Sequence, residues 1–516
     1  MFTINFKEVP NMKILKNIKI YSKENRIAAI VDENTLTYKD LESNSNALAY
    51  YILNEFNEDR TPIVIYGNKE NDILVAMIAV LKSGRAYVPV DVTFPKDRIE
   101  NILKEVQPKI LINCTNNNLE IDYNILSLND LNKLYELYRD KEIESKYWVK
   151  DDENCYILFT SGSTGKPKGV QISKNNLDSF IEYFTKYLEV GNENTAILNQ
   201  PSYSFDLSVM PVYLGLTNGK ILFSLSKKTL ENMKETFSEI KKSDMRLWIS
   251  TPAFASMCMQ DNSFNNELMP NIETMYFIGE ILPTKLVIDL RERFKEARII
   301  NSYGPTEATV AITGVDITED ILSSNKELPI GYPMEGSIIK ILDENNNEVA
   351  DEEKGEITIY SKSVSKGYYK NHELTKKVFF NDVIDGKEYR AYKTGDLGYY
   401  KDGLLYFCGR KDFQIKLHGF RIELEDIENN LRKVSNIKNT IVLPVYKDEK
   451  VSHLVAFVIL QEETGLSNLK TTLKIKDELK KYIPTYMIPK NIKILKEFPM
   501  NNNDKIDRKK LMEEFK

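Results

Sequence analysis

Over most of its length the chain alternates short β-branched apolar runs with amphipathic stretches of helical spacing, and this alternation narrows the fold more than any other feature. Pro62-Ile63-Val64-Ile65-Tyr66 precedes a helix-like stretch at 71–81, and Lys109-Ile110-Leu111-Ile112-Asn113 follows another. Strands alternating with helices predict βα units on a largely parallel sheet. A chain of 516 residues also outgrows one hydrophobic core, so at least two domains are expected. Between about Leu328 and Phe407 the texture changes to short strands with frequent turns, which predicts a β-rich subdomain, barrel-like in character. After Gly409-Arg410-Lys411-Asp412 a compact tail reads as strand, helix (423–432), strand (440–444), strand (453–461), helix (473–482) and a final strand. The domain boundary is placed near Asp412.

The composition is that of an ordinary globular protein, with 42% hydrophobic and 28% charged residues. A net charge of −6 leaves no overall basic footprint for nucleic acid. Cys114, Cys155, Cys258 and Cys408 form no CxxC pair, and the only histidines are His372, His418 and His453, which argues against structural zinc and a disulfide framework. The start lacks the basic-then-apolar pattern of a secretory signal. No apolar run approaches the ~20 residues of a spanning helix. No membrane insertion and a cytoplasmic location are therefore expected.

A phosphate cradle is the clearest chemical signal. Thr160-Ser161-Gly162-Ser163-Thr164-Gly165-Lys166-Pro167-Lys168-Gly169 leaves the apolar run Tyr156-Ile157-Leu158-Phe159. Its glycines allow backbone N–H groups to turn inward, while its hydroxyls and two lysines add donors and positive charge. It is not a Walker A loop: Gly162 and Gly165 enclose two residues, and proline follows Lys166. Pro167 also disfavours helical angles at Lys166, so the loop is not expected to feed a helix.

Further polar clusters follow. Asn301-Ser302-Tyr303-Gly304-Pro305-Thr306-Glu307 comes after the strand-like Ala297-Arg298-Ile299-Ile300, where ligands bind at the carboxyl ends of parallel strands. There Tyr303 can stack on a purine, Thr306 can donate to phosphate, and Glu307 offers a hard oxygen for Mg²⁺. Asp396, read as lying after a tight turn in Tyr392-Lys393-Thr394-Gly395-Asp396-Leu397, can accept both ribose hydroxyls. Arg410 can pair with ribose or phosphate, and Lys505 lies near the chain end. Taken singly, each fits an unremarkable role equally well: a buried tyrosine, a turn cap, a solvated charge run.

In this order and spacing the clusters resemble the adenylate-forming superfamily, specifically amino-acid adenylation proteins, over nearly the whole chain. Leu81-Lys82-Ser83-Gly84-Arg85-Ala86-Tyr87-Val88-Pro89-Val90-Asp91 and Ile483-Pro484-Thr485-Tyr486-Met487-Ile488-Pro489 look like further core motifs. Ser204-Phe205-Asp206-Leu207-Ser208-Val209-Met210 and Phe413-Gln414-Ile415-Lys416-Leu417-His418-Gly419 are similar to those of stand-alone D-alanine:D-alanyl carrier protein ligases. The resemblance implies an α/β fold class. A large multi-layer N-terminal domain, 1–411, would hold two α/β subdomains and the small β-barrel-like one, and a small mobile α+β domain, 412–516, would carry the catalytic lysine.

The implied function is ATP-dependent activation of a small amino acid as aminoacyl-AMP, then transfer to the phosphopantetheine thiol of a separate carrier protein. An acyl- or aryl-CoA ligase is the alternative. ATP and Mg²⁺ are the implied cofactors. By the same resemblance Thr160, Ser161, Gly162, Ser163, Thr164, Gly165, Lys166 and Lys168 hold phosphates, Tyr303 packs on adenine, and Asp396 and Arg410 bind ribose. Glu307 binds Mg²⁺ and acts with Thr306 and Lys505 in catalysis. Asp412 is the hinge, and Lys416 to Gly419 face the incoming thiol. Asp206 pairs with the substrate amine, and Leu207, Met210, Ile249, Tyr276, Ile278, Gly279, Ser302, Val310 and Ala311 line the pocket. Mostly bulky walls favour alanine, glycine, β-alanine or serine. Two departures stand out: Asp504 precedes Lys505 where the family has glycine, and Ile278 stands where D-alanine ligases carry cysteine, which puts D-alanine itself in question.

Overall fold

The computed structural model describes residues 12–162, 167–324, 327–412, 414–417, 419–447, 450–462, 464–499 and 506–515. The chain divides into two compact units. The first comprises residues 1–92, 106–158 and 169–409, and the second 93–105, 159–168 and 410–516.

The βα alternation yields two sheets in the first unit. One has nine strands in the spatial order Tyr332–Pro333, Thr313–Asp316, Arg298–Asn301, Thr274–Phe277, Met245–Ser250, Ala196–Asn199, Ile221–Ser224, Ile27–Val31 and Asn34–Thr37. Its central pairings are parallel and its edges antiparallel. The other has six, Ile125–Leu126, Leu111–Asn113, Ile63–Gly67, Tyr87–Asp91, Asn154–Thr160 and Lys168–Ser173, parallel from the first through the fifth.

Two helices show why the layers close together. Val209–Thr217 (VMPVYLGLT) is buried at all nine positions, and in Asn71–Lys82 every residue from Ile73 onward is buried. A helix apolar on all sides has no solvent face and must lie inside. Lys82, at the end of the second, is tolerated because Glu42, Ser45 and Asn46 accept hydrogen bonds from its ammonium. A continuous apolar core runs through both sheets and these helices.

The β-rich stretch is a five-stranded sheet of Ile338–Leu342, Gly355–Tyr360, Phe379–Ile384, Lys387–Lys401 and Leu404–Arg410, the first four paired antiparallel. Its long strand, Lys387–Lys401, pairs with three others. Asp396 lies within that strand and not after a tight turn, as its sequence context suggested. Gly395 takes φ +72°, and the register against Gly355–Tyr360 shifts there, as at a bulge, which re-aims the next side chain.

The second unit contains the hairpin Gln414–Leu417/Phe420–Glu423 and the sheet Ile437–Lys447, Lys450–Leu460 and Asn491–Leu495, with helices Leu424–Leu431, Asn468–Leu479 and Arg508–Phe515. The final strand read from the sequence is Asn491–Leu495, and it is followed by a helix that the sequence reading did not include, Arg508–Phe515. Leu511 on this helix is fully buried and packs with Leu443, Val455, Phe457 and Phe498, so burial of one short apolar face decides its conformation. Leu511→Ala is expected to cost about 2–5 kcal/mol locally. The readout is faster amide exchange in Ile437–Lys447 and Lys450–Leu460, with Met245–Ser250 unchanged.

Candidate active site

The carboxyl ends of the parallel strands Met245–Ser250, Thr274–Phe277 and Arg298–Asn301 lie side by side, with Ile249 opposite Tyr276 and Tyr276 opposite Ile300. Residues 302–311 leave the last of these, and three carboxylates meet this segment through hydroxyl donors. Tyr303 Oη donates to Asp396 Oδ2 at 2.6 Å. Thr306 Oγ1 donates to Asp206 Oδ2 at 2.6 Å. Tyr368 Oη donates to Glu307 Oε1 at 2.8 Å. Glu307 is fully buried and Asp396 nearly so, and carboxylates at such depth depend on donors of this kind. Residues 93, 100 and 61 positions apart in sequence are thereby gathered at one place.

Tyr368 was not singled out by the sequence. It ends a segment stitched to the strand Lys168–Ser173 by backbone bonds from Tyr369 to Gly169, Gln171 to Gly367 and Lys366 to Gln171. In the sequence it closes the run Gly355 to Tyr368, which looks like a further core motif of the adenylate-forming superfamily, and the glycine before it, Gly367, takes φ +111°.

The segment holds an unusual backbone. Thr309 (φ +59°) and Val310 (φ +70°) both lie in the left-handed region, which β-branched residues avoid. They are kept there by bonds from Thr309 Oγ1 to the Ser363 carbonyl and from the Ile312 N–H to the Tyr303 carbonyl. Consecutive strained residues of this kind cluster at functional positions.

The positions expected to line a substrate pocket share one buried cluster. Leu207, Met210, Ile249, Tyr276, Ile278, Val310 and Ala311 are at most 2% exposed, and Ser302 is buried beside them, accepting a bond from the Tyr276 hydroxyl and donating to the Thr313 carbonyl. Burial pushes the Tyr276 hydroxyl well above its usual range, so it is neutral and acts as a donor. Gly279 adopts φ +96°. Asp206 opens a short 3-10 turn, Asp206–Ser208, that runs into the buried helix Val209–Thr217.

Of the phosphate loop, Ser163, Thr164, Gly165 and Lys166 lie outside the described residues, as do His418, Asn503, Asp504 and Lys505. The strand Asn154–Thr160 leads into the loop and the strand Lys168–Ser173 leaves it, so no helix follows, as Pro167 indicated. Within the second unit the loop's flanks bind the hairpin: Ser161 Oγ donates to the Arg421 carbonyl at 3.0 Å and accepts from the Glu423 N–H at 3.2 Å. Lys168 Nζ lies 3.3 Å from Glu423 Oε1. Arg410 forks onto Asp412, with Nε–Oδ1 at 2.6 Å and Nη2–Oδ2 at 2.8 Å. Burial raises the Asp412 carboxyl, but the hydrogen bonds and charge of Arg410, with the Gln414 N–H, outweigh it and hold it below its ordinary range. Lys416 sits in the hairpin strand Gln414–Leu417 and Gly419 at its turn with φ +83°.

Known proteins match this architecture throughout. The chain matches the AMP-binding enzyme family over residues 19–369 and the AMP-binding enzyme C-terminal domain over 426–505. It is 41% identical over 505 residues to the D-alanine–D-alanyl carrier protein ligase of Bacillus anthracis (strain CDC 684 / NRRL 3495), covering 98% of this chain and 99% of that protein. The ligase of the same name from Bacillus cereus (strain AH187) is 41% identical over 506 residues, with the same coverage. Among solved structures, the Vibrio cholerae adenylation domain AlmE in complex with glycyl-adenosine-5'-phosphate superposes with a TM-score of 0.83 at 22% identity, covering 100% of this chain and 99% of that one. The o-succinylbenzoate CoA synthetase MenE of Bacillus subtilis gives 0.82 at 19%, with 98% of both covered.

The chain belongs to the AMP-binding, adenylate-forming enzyme family. It is accordingly an AMP-forming ligase, of a family whose nucleotide substrate is ATP.

Gly304 supplies a direct test of the strained segment. A Cβ there would lie 2.5 Å from both the Val310 carbonyl oxygen and the Ala311 Cα, backbone atoms that cannot rotate away. Gly304→Ala is expected to destabilise the first unit by about 1–3 kcal/mol, seen as a lower urea midpoint.

Proposed function

We propose that this enzyme activates a small amino acid as aminoacyl-AMP and then transfers it to the phosphopantetheine thiol of a separate carrier protein. The observation that carries the reading is the Thr306–Asp206 hydrogen bond. It sets a carboxylate suited to a substrate ammonium beside the segment assigned to phosphate and metal, which is where an amino acid's carboxylate must approach the α-phosphorus. The bulky, buried residues proposed to line the pocket would favour a small side chain such as that of alanine or serine. The 41% identity to D-alanine–D-alanyl carrier protein ligases over nearly the full length supports both the amino acid and the carrier protein. Ile278, in place of the cysteine of D-alanine ligases, leaves the preferred small acid to experiment.

The chemistry requires positioning and charge neutralisation more than acid–base catalysis. The substrate carboxylate attacks the α-phosphorus, the bond to pyrophosphate breaks, and a thiol later displaces AMP. Tyr303 and Asp396 would hold adenosine, Arg410 ribose, and the 160–168 loop the departing pyrophosphate, while Lys505 would bridge the carboxylate and α-phosphate.

Among the described residues no group of three or more His, Cys, Asp or Glu is arranged to hold a metal alone. The single buried carboxylate of Glu307 suits Mg²⁺, which commonly takes one or two carboxylates and completes its shell with phosphate and water. Glu307, oriented by Tyr368, would be the protein ligand, and the ion would neutralise phosphate charge. Asp412 would be the hinge between 1–411 and 412–516, alternating the two half-reactions. Among the described residues no helix is long and apolar enough to cross a membrane, and the reaction needs none.

ATP–pyrophosphate exchange across a panel of acids tests the reading. The strongest exchange is expected with one of alanine (either enantiomer), glycine, β-alanine or serine; strongest exchange with phenylalanine or a fatty acid refutes it. Lys505→Ala is expected to lower exchange by about 10²-fold or more with ATP affinity retained by calorimetry. Wild-type exchange would remove Lys505 from the mechanism.

A further inference from the structure

Asp206 is reached by an irregular loop, residues 200–205, that leaves the strand Ala196–Asn199. Loops of this kind hold a side chain in one direction only if something fixes them. Two strand ends of the other sheet do so. Lys69, just after Ile63–Gly67, is 4% exposed. Its Nζ donates to Asn199 Oδ1 at 3.1 Å and to the Pro201 carbonyl at 2.5 Å, and lies 4.2 Å from the centroid of the Tyr203 ring. Asn199 in turn donates to Tyr203 Oη and Ser224 Oγ, both at 2.9 Å. Asp91, the last residue of Tyr87–Asp91, accepts from the Asn68 amide at 2.8 Å and from the Ser202 hydroxyl.

An ammonium at this depth is expensive. Burial pushes Lys69 down to about 7, against the opposing pull of Asp91. A methionine would fill the same volume without that cost, so the charge points to a task other than packing.

We propose that Lys69 is a positioning residue for the substrate anchor: by gripping Asn199, Pro201 and Tyr203 it fixes the loop that aims Asp206. The inference rests on the reading of Asp206 as the amine-binding group. It assigns amine recognition to a residue with no substrate contact of its own, held by a different sheet from the strand that precedes Asp206.

The test uses the full-length enzyme in ATP–pyrophosphate exchange, with alanine and its des-amino analogue propionate as probes. In Lys69→Met the KM for alanine is expected to rise about tenfold, and the preference for alanine over propionate to fall by a similar factor, as for loss of one buried polar anchor. The KM for ATP is expected to stay within about twofold. A parallel rise in both KM values, or an unchanged alanine-to-propionate ratio, overturns the proposal. Asp206→Ala separates the two levels: if it leaves the ratio intact, the reading of Asp206 fails, and if it abolishes the ratio while Lys69→Met does not, only the role of Lys69 fails. Should Lys69→Met not fold, Lys69→Gln keeps one donor for the Pro201 carbonyl without the charge. Its ratio is expected between those of wild type and Asp206→Ala, and a wild-type ratio overturns the proposal.

Discussion

Three hydroxyl-to-carboxylate hydrogen bonds hold this site together, and each takes one member from the segment 302–311. Tyr303 serves Asp396, Thr306 serves Asp206, and Glu307 is served by Tyr368. None of these acids is near its donor in the chain, so each bond closes a long loop whose entropy the folded state must offset. Bonds to ionised groups are the stronger kind, and at this depth their loss leaves a carboxylate without a donor it relies on. The parallel sheet delivers the segments that carry Asp206 and 302–311, the antiparallel sheet delivers Asp396, and the hydroxyls then set which way the acids face.

The segment itself is under strain. Thr309 and Val310 adopt angles that each residue would leave in isolation. Gly304 is small enough to let the returning chain pass at backbone contact, and the bonds to Ser363 and Tyr303 hold the turn. The surroundings over-determine the conformation, which is the condition for such strain to persist.

Much of this was legible in the sequence, for identifiable reasons. The alternation of apolar runs gave the parallel strands because both faces of such strands are buried and so carry a strong pattern. Asn301 to Glu307 could be placed at a strand's carboxyl end from the run before it, and Pro167 correctly spoke against a helix after the phosphate loop. The misreadings share one cause. Asp396 lies on a bulged strand because Gly395 shifts register against Gly355–Tyr360, and the helix beyond the final strand went unread because it forms where Leu511 packs with distant residues. Lys69 and Tyr368 look like a solvated lysine and an ordinary aromatic until the partners that bury them are known. Local pattern records which residues want to be inside, but not which distant group they meet there.

The helix Val209–Thr217 has no solvent face, and Met210 is at once a proposed wall of the pocket and a member of the central core. On that proposal, selectivity and foldability are encoded at the same position. A mutation that enlarges the pocket there also opens a void between two sheets, and one that shrinks it crowds them. An enzyme built this way cannot drift gradually toward larger substrates. Its descendants must acquire compensating changes elsewhere in the core first, so the route to a new specificity runs through residues that never touch a substrate.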